Sequence, residues 1–476
     1  MATTTHLAPT DRHRRALHDS LCGRIATNGE FDRRLVSFQA NRRLSFFSWM
    51  KYKEAFSAEL VDRLLAERGE RGVLLDPFAG VGTSLFVARS RGWDAIGIEL
   101  LPVGFFAMQA RLAAEQVDVA ALRRKTLELE QVDFESLADE GHAFAHIPIT
   151  SGAFPRKVER QIAGFRAFVD KRVRNPLVRQ ILSFAGMTVL ESASYTRKDG
   201  QYLRWDHRAK KPRVTASFDK GEIKDFGEAV REKLRQVVTD ISHRDQKRAT
   251  LFEEEPAPRP GTLDLRQGSC LEVLPDLPPT SVDCVITSPP YCNRYDYTRT
   301  YALELVYLGL AKEDVNRLRQ TMLSCTVENR AKDEQLRSIY ERHGRVATFD
   351  RVMDVFDNQT ALHEVLSLLY AAAKRGEINN VNVPRMVRNY FLEMCFVVYE
   401  LARVLRGGGS VVMVNDNVRY IGEEVPVDLI LSDFARSFEM QVERIWTLPR
   451  GKGNSSQQMG AHGRSELRKC VYIWRK

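Results

Sequence analysis

The segment from Val73 to Glu99 constrains the fold more than any other part of the chain. A short apolar strand at 73–75 leads into a glycine-containing turn at 76–84, a helix follows at 84–91, and a second apolar strand at 95–98 ends at Glu99. Strand, helix and strand in this order predict a parallel α/β sheet with helices on its faces. Further strands are predicted at 263–265, 282–286, 410–414, 442–447 and 470–474, and helices at 52–65, 390–405 and 427–438.

The turn at 76–84 has the features of a nucleoside-binding site. Gly80 and Gly82 allow a close backbone approach that a β-carbon would block, and the next helix directs unpaired amides at the turn. Glu99 follows the next strand, where a carboxylate can accept both hydroxyls of an adenosine ribose. A dinucleotide fingerprint would need a third glycine where Leu85 stands, and no Gly-Lys-Ser/Thr sequence ends the turn as in a P-loop. These features favour S-adenosylmethionine, and a tight strand-to-helix corner without a ligand is the alternative.

A second motif, Thr287-Ser288-Pro289-Pro290-Tyr291, follows the predicted strand at 282–286. Ligands of open α/β sheets bind at the carboxyl ends of strands. The Ser288 hydroxyl and the Pro289 carbonyl can accept the two hydrogens of an exocyclic amine, and Tyr291 offers a face on which an extruded base can stack. No His or Lys lies nearby in sequence to activate Ser288 as a nucleophile. The alternative is a proline-terminated strand edge with a buried tyrosine.

Together these motifs resemble the amino-methyltransferases of DNA, and among them the cytosine-N4 methyltransferases of bacterial restriction–modification systems. Serine at the first position of the Ser288–Tyr291 motif is typical of cytosine-N4 enzymes, and aspartate is typical of adenine-N6 enzymes. The resemblance assigns catalysis to Ser288, Pro289, Pro290 and Tyr291. It assigns S-adenosylmethionine binding to Phe56, Ser57, Asp76, Phe78, Ala79, Gly80, Gly82, Thr83, Ser84, Glu99 and Ser269, although the family commonly has an acidic residue at the Ser269 position.

The resemblance implies a Rossmann-like α/β methyltransferase sheet of seven strands whose last hairpin is antiparallel. The catalytic domain is expected at 36–102, 263–300 and 377–476, after a poorly ordered lead-in at 1–35. Residues 103–262 form an insertion that is the candidate target-recognition region, and 301–376 form a helical insertion. The implied reaction is direct methyl transfer to cytosine N4 in duplex DNA, with the base flipped out of the helix. Adenine-N6 methylation is the main alternative, followed by RNA base methylation and a non-catalytic DNA-binding module.

The segment 195–213 is the candidate DNA-binding element within the first insertion. Between 197 and 213, seven Arg or Lys residues stand against two Asp and alternate with aromatic residues, a pattern that suits contacts to phosphates and base edges. The residues predicted to contact DNA are Arg197, Lys198, Gln201, Tyr202, Arg204 and Trp205. A solvated hairpin is the alternative, and the helical insertion competes as the recognition element. The polar loop at 449–460 either closes an ordinary hairpin or borders the mouth of the active site.

Composition excludes several other classes. Lys and Arg exceed Asp and Glu by 71 to 62, which mildly favours a polyanionic partner. The seven cysteines stand singly and form no CxxC pair, so neither a zinc site nor a disulfide framework is predicted. No Pro-Cys dipeptide is present, as the cytosine-C5 branch of the family would require. The polar start and the lack of a long apolar run predict a cytoplasmic protein without a membrane segment. The resemblance, in turn, implies double-stranded DNA as a partner and a cognate restriction endonuclease that acts on the same site.

Overall fold

The computed structural model describes residues 11–199, 203–209, 218–249, 259–449 and 467–476. Its strands are β1 (Ile25–Thr27), β2 (Val73–Asp76), β3 (Asp94–Glu99), β4 (Thr196–Lys198), β5 (Leu203–Trp205), β6 (Leu263–Gln267), β7 (Val282–Thr287), β8 (Leu405–Asp416), β9 (Val418–Tyr420), β10 (Glu423–Val425), β11 (Gln441–Thr447) and β12 (Lys469–Arg475).

The α-helices occupy most of the chain between these strands. They are α1 (Arg12–Leu21), α2 (Ala58–Arg68), α3 (Thr83–Ser90), α4 (Pro102–Gln116), α5 (Val119–Glu130), α6 (Arg156–Arg172), α7 (Pro176–Ala193), α8 (Phe226–Ala249), α9 (Cys270–Val273), α10 (Tyr297–Thr300), α11 (Ala302–Tyr307), α12 (Lys312–Thr321), α13 (Asp333–Arg342), α14 (Val346–Asp357), α15 (Thr360–Lys374), α16 (Val383–Val404) and α17 (Val427–Ser437). Within the described ranges, no helix is both long and apolar enough to cross a membrane.

The described residues form a central sheet of eight strands in the order β1-β11-β12-β8-β7-β2-β3-β6. The five strands from β8 to β6 run parallel, whereas β12 is antiparallel to both of its neighbours. The predicted α/β class, the parallel sheet and the antiparallel final hairpin are therefore confirmed. Because the parallel strands share one direction, their carboxyl ends, including Asp76, Glu99 and Thr287, meet at one edge of the sheet.

The predicted count of seven strands is wrong by one edge strand. Residues 25–27, which belong to the segment expected to be a poorly ordered lead-in, form β1 and pair in parallel with Ile445, Trp446 and Thr447. Helix α1 precedes this strand and packs against α15 and α17. A strand of three residues, two half-buried and one exposed, has no readable alternation, so its partner, more than 400 residues away, determines its structure.

Helix α2 begins later than its apolar spacing predicts. The Ser57 side chain caps the helix by accepting a hydrogen bond from the Leu60 amide at 3.0 Å, so the helix starts at Ala58 and not at residue 52. Residues 52–56 are thereby left outside the helix. They lie beside the carboxyl ends of the parallel strands and line the clefts described below.

The close contact between α3 and the sheet comes from an unexpected glycine. Leu85 takes the place of the third glycine of a dinucleotide turn, and its side chain packs over Gly97 of β3. A β-carbon at position 97 would lie 2.2 Å from Leu85 Cδ1. In a dinucleotide fold a glycine on the helix allows helix and strand to pack closely. Here the glycine is on the strand instead, at Gly97 of β3.

The second insertion shares an apolar core with the central sheet, and the first shares one with residues next to the two motifs. Helices α4 to α8 of the first insertion pack on one another and share a core with Tyr52, Tyr297 and Tyr301. Helices α13 to α15 of the second insertion pack against α16, which covers one face of the sheet. The segments next to the catalytic motif are thus held by side chains from both insertions.

Candidate active site

A cleft of about 780 Å³ opens at the carboxyl ends of β2 and β3, and we call it the cofactor-side cleft. Most residues predicted to bind a cofactor line it: Phe56, Asp76, Phe78, Ala79, Gly80, Thr83, Glu99 and Ser269. Ser57, Gly82 and Ser84 lie behind this lining. Ser57 caps α2, Gly82 precedes α3 with a φ of 77°, and the Ser84 hydroxyl donates to Asp76.

Glu99 forms the far wall of this cleft and holds the glycine turn in place. Its Oε2 accepts a hydrogen bond from the Gly80 amide at 2.6 Å, and its Oε1 accepts one from the Leu101 amide at 2.7 Å. Gly80 has a φ of 55°, in the left-handed region that favours glycine. Burial raises the pKa of Glu99 to about 7, because the charged form loses solvation in this wall.

Asp76 connects the cofactor turn to the strand that carries the second motif. Its Oδ1 accepts hydrogen bonds from the Thr287 hydroxyl at 2.7 Å and from the Phe78 amide at 3.1 Å. Its other oxygen accepts from the Ser84 hydroxyl. The carboxyl group is almost completely buried, and this burial raises its pKa to about 6 despite the three donors. The end of β7 is therefore fixed directly against the turn that follows β2.

Thr83 adds a polar group without a partner to the same cleft. Its Oγ1 is buried and has no hydrogen-bond partner among the described residues. A buried hydroxyl in this state costs free energy that a ligand could recover by hydrogen bonding to it. The opposite wall is apolar, with Ile98, Leu100 and Leu323.

A larger cleft of about 1410 Å³ lies on the other side of the 288–291 motif, and we call it the target-side cleft. Pro289 and Tyr291 line it, Pro290 lines the cofactor-side cleft, and Ser288 lines both. Burial raises the pKa of the Tyr291 hydroxyl far above its ordinary value, and the nearby Ser288 side chain only partly offsets this rise. The motif is therefore a neutral polar partition between the two clefts.

Cys292, immediately after the motif, is structural. Its thiol is fully buried, and burial raises its pKa well above the ordinary value, so the nucleophilic thiolate is disfavoured. Its carbonyl accepts a hydrogen bond from the Tyr420 hydroxyl at 2.6 Å, which holds the loop against β9. Neither Cys292 nor the motif before it offers the nucleophile that cytosine-C5 chemistry requires.

The target-side cleft also contains residues that the sequence motifs did not reveal. Asp416, at the end of β8, lines it and accepts a hydrogen bond from Lys469 Nζ at 2.6 Å. Glu54 lines both clefts, as does Tyr297. The sequence could have indicated Asp416 as a site residue, because Asp416 follows the predicted strand at 410–414. In the sheet this strand, β8, is adjacent to β7. Glu54 had no such signal, because it lies in a segment that the apolar spacing assigned to a helix.

The basic segment of the first insertion forms a hairpin from β4 and β5, the structure that the sequence analysis gave as the alternative for this segment. Arg197 and Arg204 face each other across it with exposed side chains, and Trp205 is half-buried. Arg204 stacks 4.1 Å from the Phe218 ring centre and lies 3.8 Å from Asp199, which itself lines the target-side cleft. Gln201 and Tyr202 fall outside the described residues, as do positions 450–460 of the C-terminal loop.

Lys198 differs from the other predicted DNA contacts. Its side chain is only 5% exposed, and its Nζ lies 2.6 Å from Glu304 Oε1. The alternation of the strand places it on the face opposite Arg197, toward the protein interior. Because Lys198 already has a buried acidic partner, it is not among the phosphate contacts proposed below.

Comparison with known proteins identifies close relatives over nearly the whole chain. The chain is 43% identical over 467 residues to the type II methyltransferase M.AvaI of Nostoc sp., which covers 98% of this chain and 93% of the relative. The same values hold for M.AvaI of Anabaena variabilis. The type II methyltransferase M.BsoBI of Geobacillus stearothermophilus is 38% identical over 461 residues, covering 94% of this chain and 88% of the relative.

No protein-family model and no solved structure matches the chain. The similarity to M.AvaI and M.BsoBI nevertheless covers nearly the whole chain. The chain therefore belongs to the family of type II methyltransferases that includes M.AvaI and M.BsoBI.

Proposed function

We propose that this protein is a site-specific DNA methyltransferase that transfers a methyl group from S-adenosylmethionine to the N4 amino group of cytosine in duplex DNA. The observation that carries the proposal is the meeting of the two clefts at Ser288, which lines both. Methyl transfer needs a donor and an acceptor nitrogen in contact, and here two binding sites open onto one side chain.

The residues of the cofactor-side cleft suit S-adenosylmethionine. Each oxygen of Glu99 accepts one backbone hydrogen bond and keeps a lone pair for a ribose hydroxyl. The unpartnered Thr83 hydroxyl and the apolar wall of Ile98 and Leu100 complete a site for a nucleoside with a polar tail. When bound, S-adenosylmethionine supplies an electrophilic methyl group on its sulfonium.

The target-side cleft suits a flipped base bearing an amine. In this proposal, Ser288 Oγ and the Pro289 carbonyl accept the two amine hydrogens, and this orients the nitrogen lone pair toward the methyl donor. Stacking of a base on an aromatic ring contributes about 1–3 kcal/mol. Stacking on Tyr291 would therefore offset part of the free-energy cost of removing the base from the duplex. The serine at position 288 is the basis for proposing cytosine N4 as the acceptor in preference to adenine N6.

Arg197 and Arg204 are the proposed phosphate contacts of the hairpin. They are cross-strand neighbours of like charge, and the repulsion between them destabilises the hairpin. Binding of DNA phosphates would reduce this repulsion. The relatives are type II methyltransferases, and we propose that this protein likewise modifies a sequence cut by a cognate restriction endonuclease. The first insertion is the proposed target-recognition region.

A transfer assay with methyl-tritiated S-adenosylmethionine tests this function. We expect label in duplex DNA and none in RNA. Thr83→Val removes the unpartnered hydroxyl at nearly constant volume and should weaken cofactor binding about three- to tenfold, the worth of one hydrogen bond. Thr126→Val is the matched control, because the Thr126 hydroxyl bonds only to the Leu122 carbonyl within α5. Label in RNA, or no label in any nucleic acid, would reject the proposal.

A further inference from the structure

Glu54 lies at the boundary between the cofactor-side cleft and the target-side cleft and lines both. Its carboxylate accepts two phenolic hydrogen bonds. The Tyr301 hydroxyl donates to Oε2 at 2.6 Å, and the Tyr295 hydroxyl donates to Oε1. Both tyrosines follow the 288–291 motif in the chain, so one carboxylate joins the segment before the cofactor turn to the segment after the catalytic motif.

Two side chains pack against the Tyr301 ring. Tyr52 stacks against it, with ring centres 5.1 Å apart and planes at 18°, and the Lys198 ammonium lies 4.1 Å from its ring centre. Lys198 is itself fixed by its ion pair with Glu304. Tyr52 also touches the cofactor turn, because a β-carbon on Gly80 would lie 3.1 Å from the Tyr52 ring. A continuous set of contacts therefore extends from the cofactor turn to the hairpin.

Tyr295 is the second tyrosine that donates a hydrogen bond to Glu54. It lines the target-side cleft, and its ring packs on Tyr297 with centres 4.6 Å apart. Tyr297 is nearly buried and lines both clefts. Through Tyr295, Glu54 is thus connected to Tyr297, which lines both clefts as Ser288 does.

We infer that Glu54 is a positioning residue for methyl transfer, which by holding Tyr295 and Tyr301 keeps the two clefts in the alignment that transfer between them requires. The inference rests on the proposed function and adds a residue that belongs to neither recognised motif. Displacement at carbon needs donor and acceptor in line, and a misplacement of about 1 Å costs about 100-fold in rate. Loss of the carboxylate should therefore affect the transfer step much more than binding of either partner.

The experiment uses Glu54→Gln, Glu54→Ala and Tyr301→Phe, with single-turnover transfer measured at saturating S-adenosylmethionine and DNA. We expect Glu54→Ala and Tyr301→Phe to lower the transfer rate at least about tenfold, while the Kd values for cofactor and DNA change less than about threefold. Glu54→Gln keeps the side-chain size and one acceptor oxygen, so its rate should lie between those of wild type and Glu54→Ala.

Tyr340→Phe is the matched control. It removes the same kind of bond, from the buried Tyr340 hydroxyl on α13 to Glu400 Oε1 on α16 at 2.8 Å, and neither residue lines either cleft. Its transfer rate per folded molecule should stay within about twofold of wild type, even where its thermal stability falls like that of Tyr301→Phe.

Two results would overturn the inference. One is a transfer rate unchanged in Glu54→Ala, and the other is a loss of rate matched by an equal loss of cofactor affinity. Failure of the proposed function is distinguishable, since the wild-type protein itself would then transfer no methyl group to DNA.

Discussion

The raised pKa of Glu99 makes cofactor binding depend on pH in a defined direction. In the free protein, burial holds this pKa near 7, above its ordinary value of 4.5. Ribose hydroxyls donate to the ionised carboxylate, so binding favours that form and lowers the pKa. Binding therefore releases a proton, and affinity rises as the pH is raised through about 7 and levels off above it.

The size of the effect follows from the fraction of Glu99 that is ionised. At about pH 6, roughly one-tenth of a carboxyl group with a pKa of about 7 is ionised, which weakens binding about tenfold, or about 1.4 kcal/mol, relative to the plateau. Near pH 7, about half a proton should be released for each molecule bound.

Isothermal titration calorimetry with S-adenosylhomocysteine, in two buffers of different ionisation enthalpy, measures both quantities. Glu99→Gln is the reference, because it removes the titrating group and leaves the ligand's own titration unchanged. Asp76 remains in this variant, and with a pKa of about 6 it accounts for any residual dependence at lower pH. Equal pH dependence in wild type and Glu99→Gln, with equal proton release, would refute the assignment of Glu99 to the ribose.

Three further predictions concern the target side and the hairpin. Tyr291→Ala should lower turnover about 100-fold while calorimetry shows nearly unchanged cofactor binding; full activity would remove Tyr291 from the base site. Lys198→Met leaves Glu304 buried without its partner and should destabilise the fold by about 3–5 kcal/mol in urea unfolding; normal stability with weakened DNA binding would make Lys198 a DNA contact after all. Arg197→Ala and Arg204→Ala should each reduce the salt dependence of DNA binding by about one unit of slope; unchanged slopes would move the phosphate contacts elsewhere.

The parallel sheet was predictable because its inner strands β2 and β7 are largely buried and read as short apolar runs. Strand β1 was not, since its three residues carry no periodicity and depend on Ile445 to Thr447 for their structure. The start of α2 was misplaced for a local reason. The apolar spacing extends back to residue 52, but the Ser57 side chain caps the helix, so α2 begins at Ala58.

The candidate site shows the same division between local and long-range information. The glycine turn, Glu99 and the 288–291 motif each follow a strand, and the topology of a parallel sheet places them together. Glu54, Tyr295 and Tyr301 meet through contacts across about 240 positions of sequence, which no spacing rule conveys. Lys198 and Arg197 are adjacent basic residues that the sequence does not distinguish. In the hairpin they lie on opposite faces, so Lys198 forms a buried ion pair and Arg197 is exposed.

The most direct test of the proposed reaction is the identity of the methylated nucleoside. DNA from cells expressing the protein, digested to nucleosides and resolved by mass spectrometry, should contain N4-methylcytosine. The DNA of cells expressing Tyr291→Ala should contain far less of it. N6-methyladenine in place of N4-methylcytosine would contradict the role given to Ser288, and DNA without either modified base would contradict the account as a whole.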